Sequence, residues 1–167
     1  MIELPPKDDT VGVEVRVLLA ECRGPSSKSY ILSDAKTAMQ LMDRVLWNRF
    51  RDPARFGARG AKSLADIIKA PGQFAGFQNY PRYDMAIVNR IQTMVNIANS
   101  GAKDKRSPDF ANFINAAIEV AKNQSIQEPS PGTLASWRTA GSGSPGSNFK
   151  LHTTLAGNDF YYIPATP

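Results

Sequence analysis

The stretch VGVEVRVLLAEC at residues 11–22 decides how the rest of the chain is read, because two patterns run through it at once. Val11, Val13, Val15 and Val17 alternate as a strand would, whereas Val13, Val17, Leu18 and Cys22 share one face of a helix. Its length and its Leu-Leu-Ala finish favour the helix. Arg23-Gly24-Pro25 then ends it, since glycine tolerates the left-handed cap conformation and proline stops continuation. The helical reading sets Glu21 on the last turn of an apolar rod.

Working outward, residues 33–51 repeat the helical spacing at Ala35, Ala38, Met39, Met42, Val45 and Leu46, with Ser33 as a cap and Asp52-Pro53 as the stop. A short helix is expected over 63–69, where Ser63 and Asp66 have capping-box spacing. Pro71-Gly72 break it. Two further helices are expected at 83–100 and from Ser107-Pro108-Asp109 onward, the latter with Phe110, Phe113, Ile114, Ala117, Ile118 and Ala121 facing inward. Residues 128–148 are rich in Pro, Gly and Ser and read as a long surface loop in which Trp137 needs a partner. Leu151–Leu155 and Phe160–Ile163, around Ala156-Gly157-Asn158-Asp159, read as a C-terminal β-hairpin. The expected fold class is therefore α+β with helices dominating, as a single domain over 1–167.

At 167 residues the chain has the length of one domain and enough of it to bury a real core. Hydrophobic residues at 42% and charged ones at 21% exclude a disordered tail. A net charge of +5 favours a polyanionic partner or surface. Cys22 and His152 are the single residues of their kinds, which excludes a disulfide framework and a Cys/His zinc cage. The opening MIELPPKDDT has no basic or apolar signal region, and no stretch is apolar enough to span a membrane. The expectation is a chain made in the cytosol that does not leave by the general secretory route.

Glu21 is the first candidate for chemistry. Apolar neighbours and the negative end of its helix both disfavour the carboxylate, and both raise its pKa. A carboxyl that holds its proton near neutrality is what glycoside cleavage needs to protonate the leaving oxygen. The plainer reading is a surface glutamate paired with Arg23. The loop GQFAGFQNYPRY at 72–83 brings four aromatics and three amides in twelve residues, a composition suited to a glycan groove, although Phe74 and Phe77 also read as core plugs. Tyr80, Tyr161 and Tyr162 are candidates for the groove wall, and Trp137 for a sugar platform or a lid. For a second carboxylate, Asp34, Asp43, Asp66, Asp84 and Asp159 are available. Asp43 and Asp66 read as solvated face or cap, and Asp159, beside Tyr161, is the choice for the cleft.

Two other function classes compete. A Cys22–His152 peptidase or amidase needs an activated thiolate, yet Cys22 sits at a helix C-terminus beside an acid, where a thiolate is disfavoured. A nucleic-acid-binding module is suggested by Arg44, Arg49, Arg51, Arg55, Arg59 and Lys62. An anionic cell envelope accounts for the same charge.

LLAECRG (18–24), KTAMQLMDRVLWNRFRDPARFG (36–57) and SLADIIKAPGQFAGFQN (63–79) together resemble the cell-wall hydrolase family that includes the spore cortex-lytic enzymes. The matching residues are Glu21, Arg23 and Gly24, then Trp47, Asn48 and Arg49, then Gln73 and Phe74, over roughly residues 17–80. Cys22 and Pro25 depart from the family pattern, as does Asp159 where the family carries a histidine. The resemblance implies a lysozyme-like helical fold that cleaves the β-1,4 glycan backbone of peptidoglycan, as a glucosaminidase or a muramidase, without metal or cofactor. It makes Glu21 the catalytic acid, places Gln73 and Phe74 on the lining of the sugar cleft and Asn48, also counted as substrate-binding, at the end of the helix supporting it. Tyr80, Asp159 and Tyr161 join the cleft from the reading above. A wall enzyme of domain size without a signal peptide also resembles the peptidoglycan glycosidase effectors of type VI secretion. That likeness implies action in the periplasm of a target bacterium and an immunity protein that occludes the cleft. A phage endolysin would look the same.

Overall fold

The computed structural model describes residues 1–123 and 126–166. Five α-helices lead into a three-stranded antiparallel sheet: α1 Thr10–Glu21, α2 Leu32–Arg51, α3 Leu64–Lys69, α4 Met85–Ala98, α5 Ser107–Asn123, then β1 Gly132–Thr139, β2 Lys150–Leu155 and β3 Asn158–Pro164. The class is α+β and mostly helical, as the periodicity indicated.

Helix α1 is the axis of the molecule. Every residue from Gly12 to Leu19 is buried, Glu14 and Arg16 included. A helix covered on all sides carries no polar face, which is why its sequence shows two periods rather than one. One apolar cluster joins Val15, Leu18 and Leu19 to Met39 and Met42 of α2, Met94 of α4, Phe110, Phe113 and Ile114 of α5, and Phe160 of β3. A second cluster takes the opposite side of α1, where Val13 and Val17 meet Leu46, Leu64, Ile67, Phe74 and Phe77. Pro5 and Pro6 press on the first turn so closely that a Cβ on Gly12 would stand 1.8 Å from the Pro6 carbonyl oxygen.

The caps differ in detail from expectation. Helix α2 starts at Leu32 without a side-chain cap, so Ser33 lies inside its first turn. Ser63 does cap α3, accepting from the Asp66 N–H, while the Asp66 carboxylate accepts from Lys62 N–H at 2.9 Å. The shorter acid reaches one residue further back than the glutamate of an ordinary capping box would. Asp84 caps α4 through the Ala86 N–H.

The C-terminal region needs correction. Residues 132–139, expected within a long loop, form β1, so the sheet has three strands in the order β1-β3-β2 rather than a lone hairpin. The loop proper is the GSGSPGS segment and its flanks, which return the chain to the far edge of β3. The β2–β3 hairpin is formed, but its turn is only Ala156-Gly157, with Asn158 and Asp159 already paired in β3. There φ is 46° at Ala156 and 78° at Gly157, the two positive values a two-residue turn of this twist requires. Both outer strands carry a bulge, at Ala135 and at His152.

Asp43, read as solvated, is also corrected. It is 3% exposed and sits across from Glu14, which is fully buried. Neither Glu14 oxygen, nor Asp43 Oδ1, nor Trp47 Nε1 has a hydrogen-bond partner.

Candidate active site

The Leu-Leu-Ala run ends α1 at Glu21, and the fold leaves that last turn at the bottom of an open cleft. Two lobes of about 650 Å³ each meet at Glu21. One is aromatic, lined by Phe56, Gln73, Phe74, Trp137 and Phe149, with Arg49, Arg55 and Arg138. The other runs over Leu19, Met94, Ile97 and Phe110, with Arg23, Arg90 and Arg106 at its rim. Glu21 is the one carboxylate among the described residues lining either lobe.

Glu21 is half-buried. Its Oε2 accepts a hydrogen bond from Trp137 Nε1 at 3.3 Å. Desolvation raises its pKa above the ordinary carboxylate value, opposed by the Trp137 N–H and the positive charge of Arg90. Arg90 donates to the Ala20 carbonyl, one of the unpaired carbonyls of the last turn of α1. The pairing of Glu21 with Arg23 is not made. Arg23 Nη1 donates to Ser29 Oγ at 2.9 Å, and its guanidinium lies against Gly157, where an added Cβ would fall 2.3 Å from Nη2.

Trp137 finds its partners on both sides. Its indole packs on Phe74 at 5.5 Å between centroids, and its N–H reaches Glu21. The platform is therefore held by β1, and β1 in turn is held by α2. Asn48 Nδ2 donates to the Leu134 carbonyl and to Glu128 Oε2, both at 2.8 Å. Glu128 Oε1 accepts from Leu134 N–H and from the Ser130 hydroxyl. Arg49 Nε donates to the Ala135 carbonyl at 2.9 Å, at the bulge, where the strand ladder is interrupted. Arg49 Nη1 also donates to Gln73 Oε1, and its guanidinium lies over Phe56 and Phe74. Burial brings its pKa down to about 10.

The expected cleft residues divide accordingly. Gln73 and Phe74 line the aromatic lobe beside Glu21. Asn48 does not reach the cleft; it is 7% exposed, and its amide N–H groups are spent on β1 and Glu128. Tyr80 belongs to the second core cluster, in a three-ring group with Phe77 and Tyr83, with its hydroxyl donating to the Lys7 carbonyl. Asp159 turns away from both lobes. Its oxygens accept from Gly141 N–H and the Thr154 hydroxyl, which hold its carboxyl below the usual range. Tyr161 is buried on β3 and lines neither lobe. Asn48, Tyr80 and Asp159 each lie where a polar tip anchors one element to another, and composition alone does not separate that use from sugar binding.

Cys22 and His152 are not brought together. The Cys22 thiol faces the Ala35 carbonyl at 3.6 Å, and burial pushes its pKa up to about 12. His152 stands at the β2 bulge against Tyr162 and lines neither lobe. The basic stretch of α2 does not form one free face either, since Arg44 donates to the Ile126 carbonyl and Arg49 is committed as described. No metal-binding cluster of His, Cys, Asp or Glu occurs among the described residues, and no helix among them is long and apolar enough to cross a membrane.

Sequence reasoning missed Arg90, the anchoring role of Arg49 and the donor role of Trp137. The only signal was the isolated Trp in a Gly/Ser-rich segment, a residue too large to leave unpartnered. The chain matches no protein-family model, no curated protein and no solved structure.

Proposed function

We propose that the chain is a lysozyme-like peptidoglycan glycosidase that cleaves the β-1,4 glycan backbone, with Glu21 protonating the glycosidic oxygen. The observation that carries the reading is the setting of Glu21: a half-buried carboxyl with a raised pKa, alone of its charge among the described residues of an open cleft, beside an aromatic wall of Trp137 and Phe74. Burial keeps the proton on the acid until it is needed, and the aromatic wall offers apolar faces to sugar rings. As the C1–O bond breaks, positive charge spreads over the ring carbon and oxygen, and the glutamate left behind is negative and close enough to stabilise it.

A second carboxylate would act on C1 either as a nucleophile, about 5 Å from the first, or as the base for an attacking water, about 6.5–9.5 Å from it. The described cleft lining offers none. The ring's own C6 hydroxyl serves instead: O6 attacks C1, its proton returns to the Glu21 carboxylate, and the acid is restored without consuming water. The expected product is a 1,6-anhydro sugar, lighter by one water than the hydrolytic product and lacking a reducing end. Mass spectrometry of fragments released from purified peptidoglycan, before and after borohydride reduction, checks this. Reducible ends on every fragment would show that water rather than O6 attacks C1 and refute the anhydro product. Cleaved stem peptides in place of glycan fragments would refute the glycosidase itself.

Trp137→Phe keeps the ring against Phe74 and removes the N–H. That hydrogen bond lowers the Glu21 pKa, so its loss raises it. The acid then stays protonated to higher pH, and the alkaline limb of the kcat/KM profile is expected to move upward. A shift to lower pH would show that Glu21 is not the group titrating in that limb.

Delivery into the wall of a rival cell, with an immunity partner closing the cleft, goes with the same proposal. Its test is growth on expression with and without a periplasmic leader. Toxicity confined to the exported form supports it, and equal harmlessness of both forms opposes it.

A further inference from the structure

The two lobes of the cleft differ in a way that one sugar polymer does not require. The aromatic lobe presents ring faces. The second lobe presents none, because Phe110, its single aromatic among the described residues, is 2% exposed and serves as floor. Its floor is aliphatic, from Leu19, Met94 and Ile97, and its rim is cationic, from Arg23, Arg90 and Arg106. No described acid but Glu21 lines it.

Each guanidinium is positioned but not used up. Arg23 gives one donor to Ser29 and is braced over Gly157. Arg90 is tied to the Ala20 carbonyl, beside Glu21. Arg106 forms a two-point pair with Asp104, whose Oδ2 lies 2.7 Å from Nη2. A guanidinium has five donors, so all three retain N–H groups for an incoming carboxylate. Aliphatic floor with a ring of fixed guanidinium groups suits a short peptide of small side chains bearing carboxylates, and it suits a bare sugar poorly.

We propose that this second lobe binds the carboxylate-bearing lactyl-peptide substituent of the glycan strand, so that the chain acts on peptide-substituted rather than naked glycan. The inference rests on the glycosidase reading of Glu21. The aromatic lobe holds the sugar on one side of the scissile bond, and the peptide of the neighbouring sugar lies across Arg90 and Arg106. Binding energy from the substituent then helps seat the glycosidic oxygen at Glu21.

The test separates this from the glycosidase reading by measuring binding without turnover. Glu21→Gln protein is titrated with N-acetylmuramyl-L-alanyl-D-isoglutamine and, separately, with the N-acetylglucosamine trimer, following arginine side-chain N–H signals by NMR. The muramyl dipeptide is expected to shift the Arg90 and Arg106 signals. The trimer is expected to shift the Trp137 indole signal instead. In active protein, Arg90→Gln with Arg106→Gln is expected to lower the ratio of rates on peptide-bearing and amidase-stripped glycan on the order of tenfold, the loss of charge-assisted hydrogen bonds. Arg90→Lys with Arg106→Lys should recover part of that ratio. An unchanged rate ratio, or a dipeptide that leaves both arginine signals in place while wild type still cuts glycan, would overturn the peptide lobe and leave the glycosidase standing. Arginine shifts without any glycan cleavage would instead overturn the glycosidase reading and the substrate role that depends on it.

Discussion

Glu21→Gln is expected to lower glycan release from purified peptidoglycan roughly a hundred- to ten-thousand-fold, the range associated with a positioned proton donor. The amide is nearly the same size and shape, and it cannot protonate an oxygen. The fold should survive intact. Glu21 is only half-buried, forms no ion pair among the described residues, and makes one side-chain hydrogen bond, to Trp137. Desolvation raises the wild-type pKa, so the neutral amide also removes a group whose charged form is disfavoured. Thermal unfolding of the variant should therefore match or slightly exceed wild type. The control is Cys22→Ala, which deletes a buried thiol with a pKa of about 12 that meets a backbone carbonyl and no base. Its activity should remain within about twofold of wild type, since a protonated buried thiol behaves as a small hydrophobe. If Cys22→Ala were inactive and Glu21→Gln active, the chemistry would belong to the cysteine.

Glu14→Gln is expected to change stability rather than chemistry. Glu14 is fully buried, and burial together with the neighbouring Asp43 raises its pKa to about 10, against the ordinary 4.5 of the unfolded chain. Asp43 is raised as well, by its own burial, opposed by the nearness of Glu14 and Trp47 and by the charge of Arg44. Two carboxylates side by side in an apolar interior cannot both ionise, so the folded state keeps a proton that the unfolded chain releases. The sign follows from the proton count. Between about pH 4.5 and 10 the folded state binds more protons than the unfolded one, and stability falls as pH rises through that window. The substituted amide preserves the shape, offers an N–H toward Asp43 and does not titrate. Relative to wild type the variant should gain on the order of 1 kcal/mol of stability per pH unit between pH 5 and 9, each kcal/mol being roughly 2–4 °C in Tm for a chain of this length. The difference should shrink toward pH 5. Calorimetry or circular dichroism across that range checks it, and a constant offset would mean that the pair does not hold the proton.

The helices were legible because their apolar residues recur at helical spacing and their ends carry Gly, Pro, Ser or Asp. Glu21 was legible because a carboxylate after an apolar helical run is a local contradiction, and the run that desolvates it lies within a few residues of it. Strand β1 was not. Its sequence, GTLASWRT, lies between Pro/Ser-rich and Gly/Ser-rich segments, and it becomes a strand only because β3 supplies its ladder and Asn48 and Arg49 of α2 clamp its start and its bulge. Asp43 misled for a related reason. Residues on a helix face are polar whether that face meets water or meets another buried acid.

Local sequence was enough to set the mostly helical α+β class, the position of the acid at the end of α1, and the turn at Ala156-Gly157. These depend on propensities and periods that act over one or two turns. Which polar residues reach the cleft was left to the packing of the whole chain. Gln73, Phe74, Trp137, Arg90 and Arg106 line it, while Asn48, Tyr80 and Asp159 anchor one element to another and Tyr161 is buried on β3. That choice depends on contacts between residues as far apart as Glu21 and Trp137. A hydrogen-bonding tip satisfies a distant backbone group or faces solvent according to where the packed helices and strands leave it.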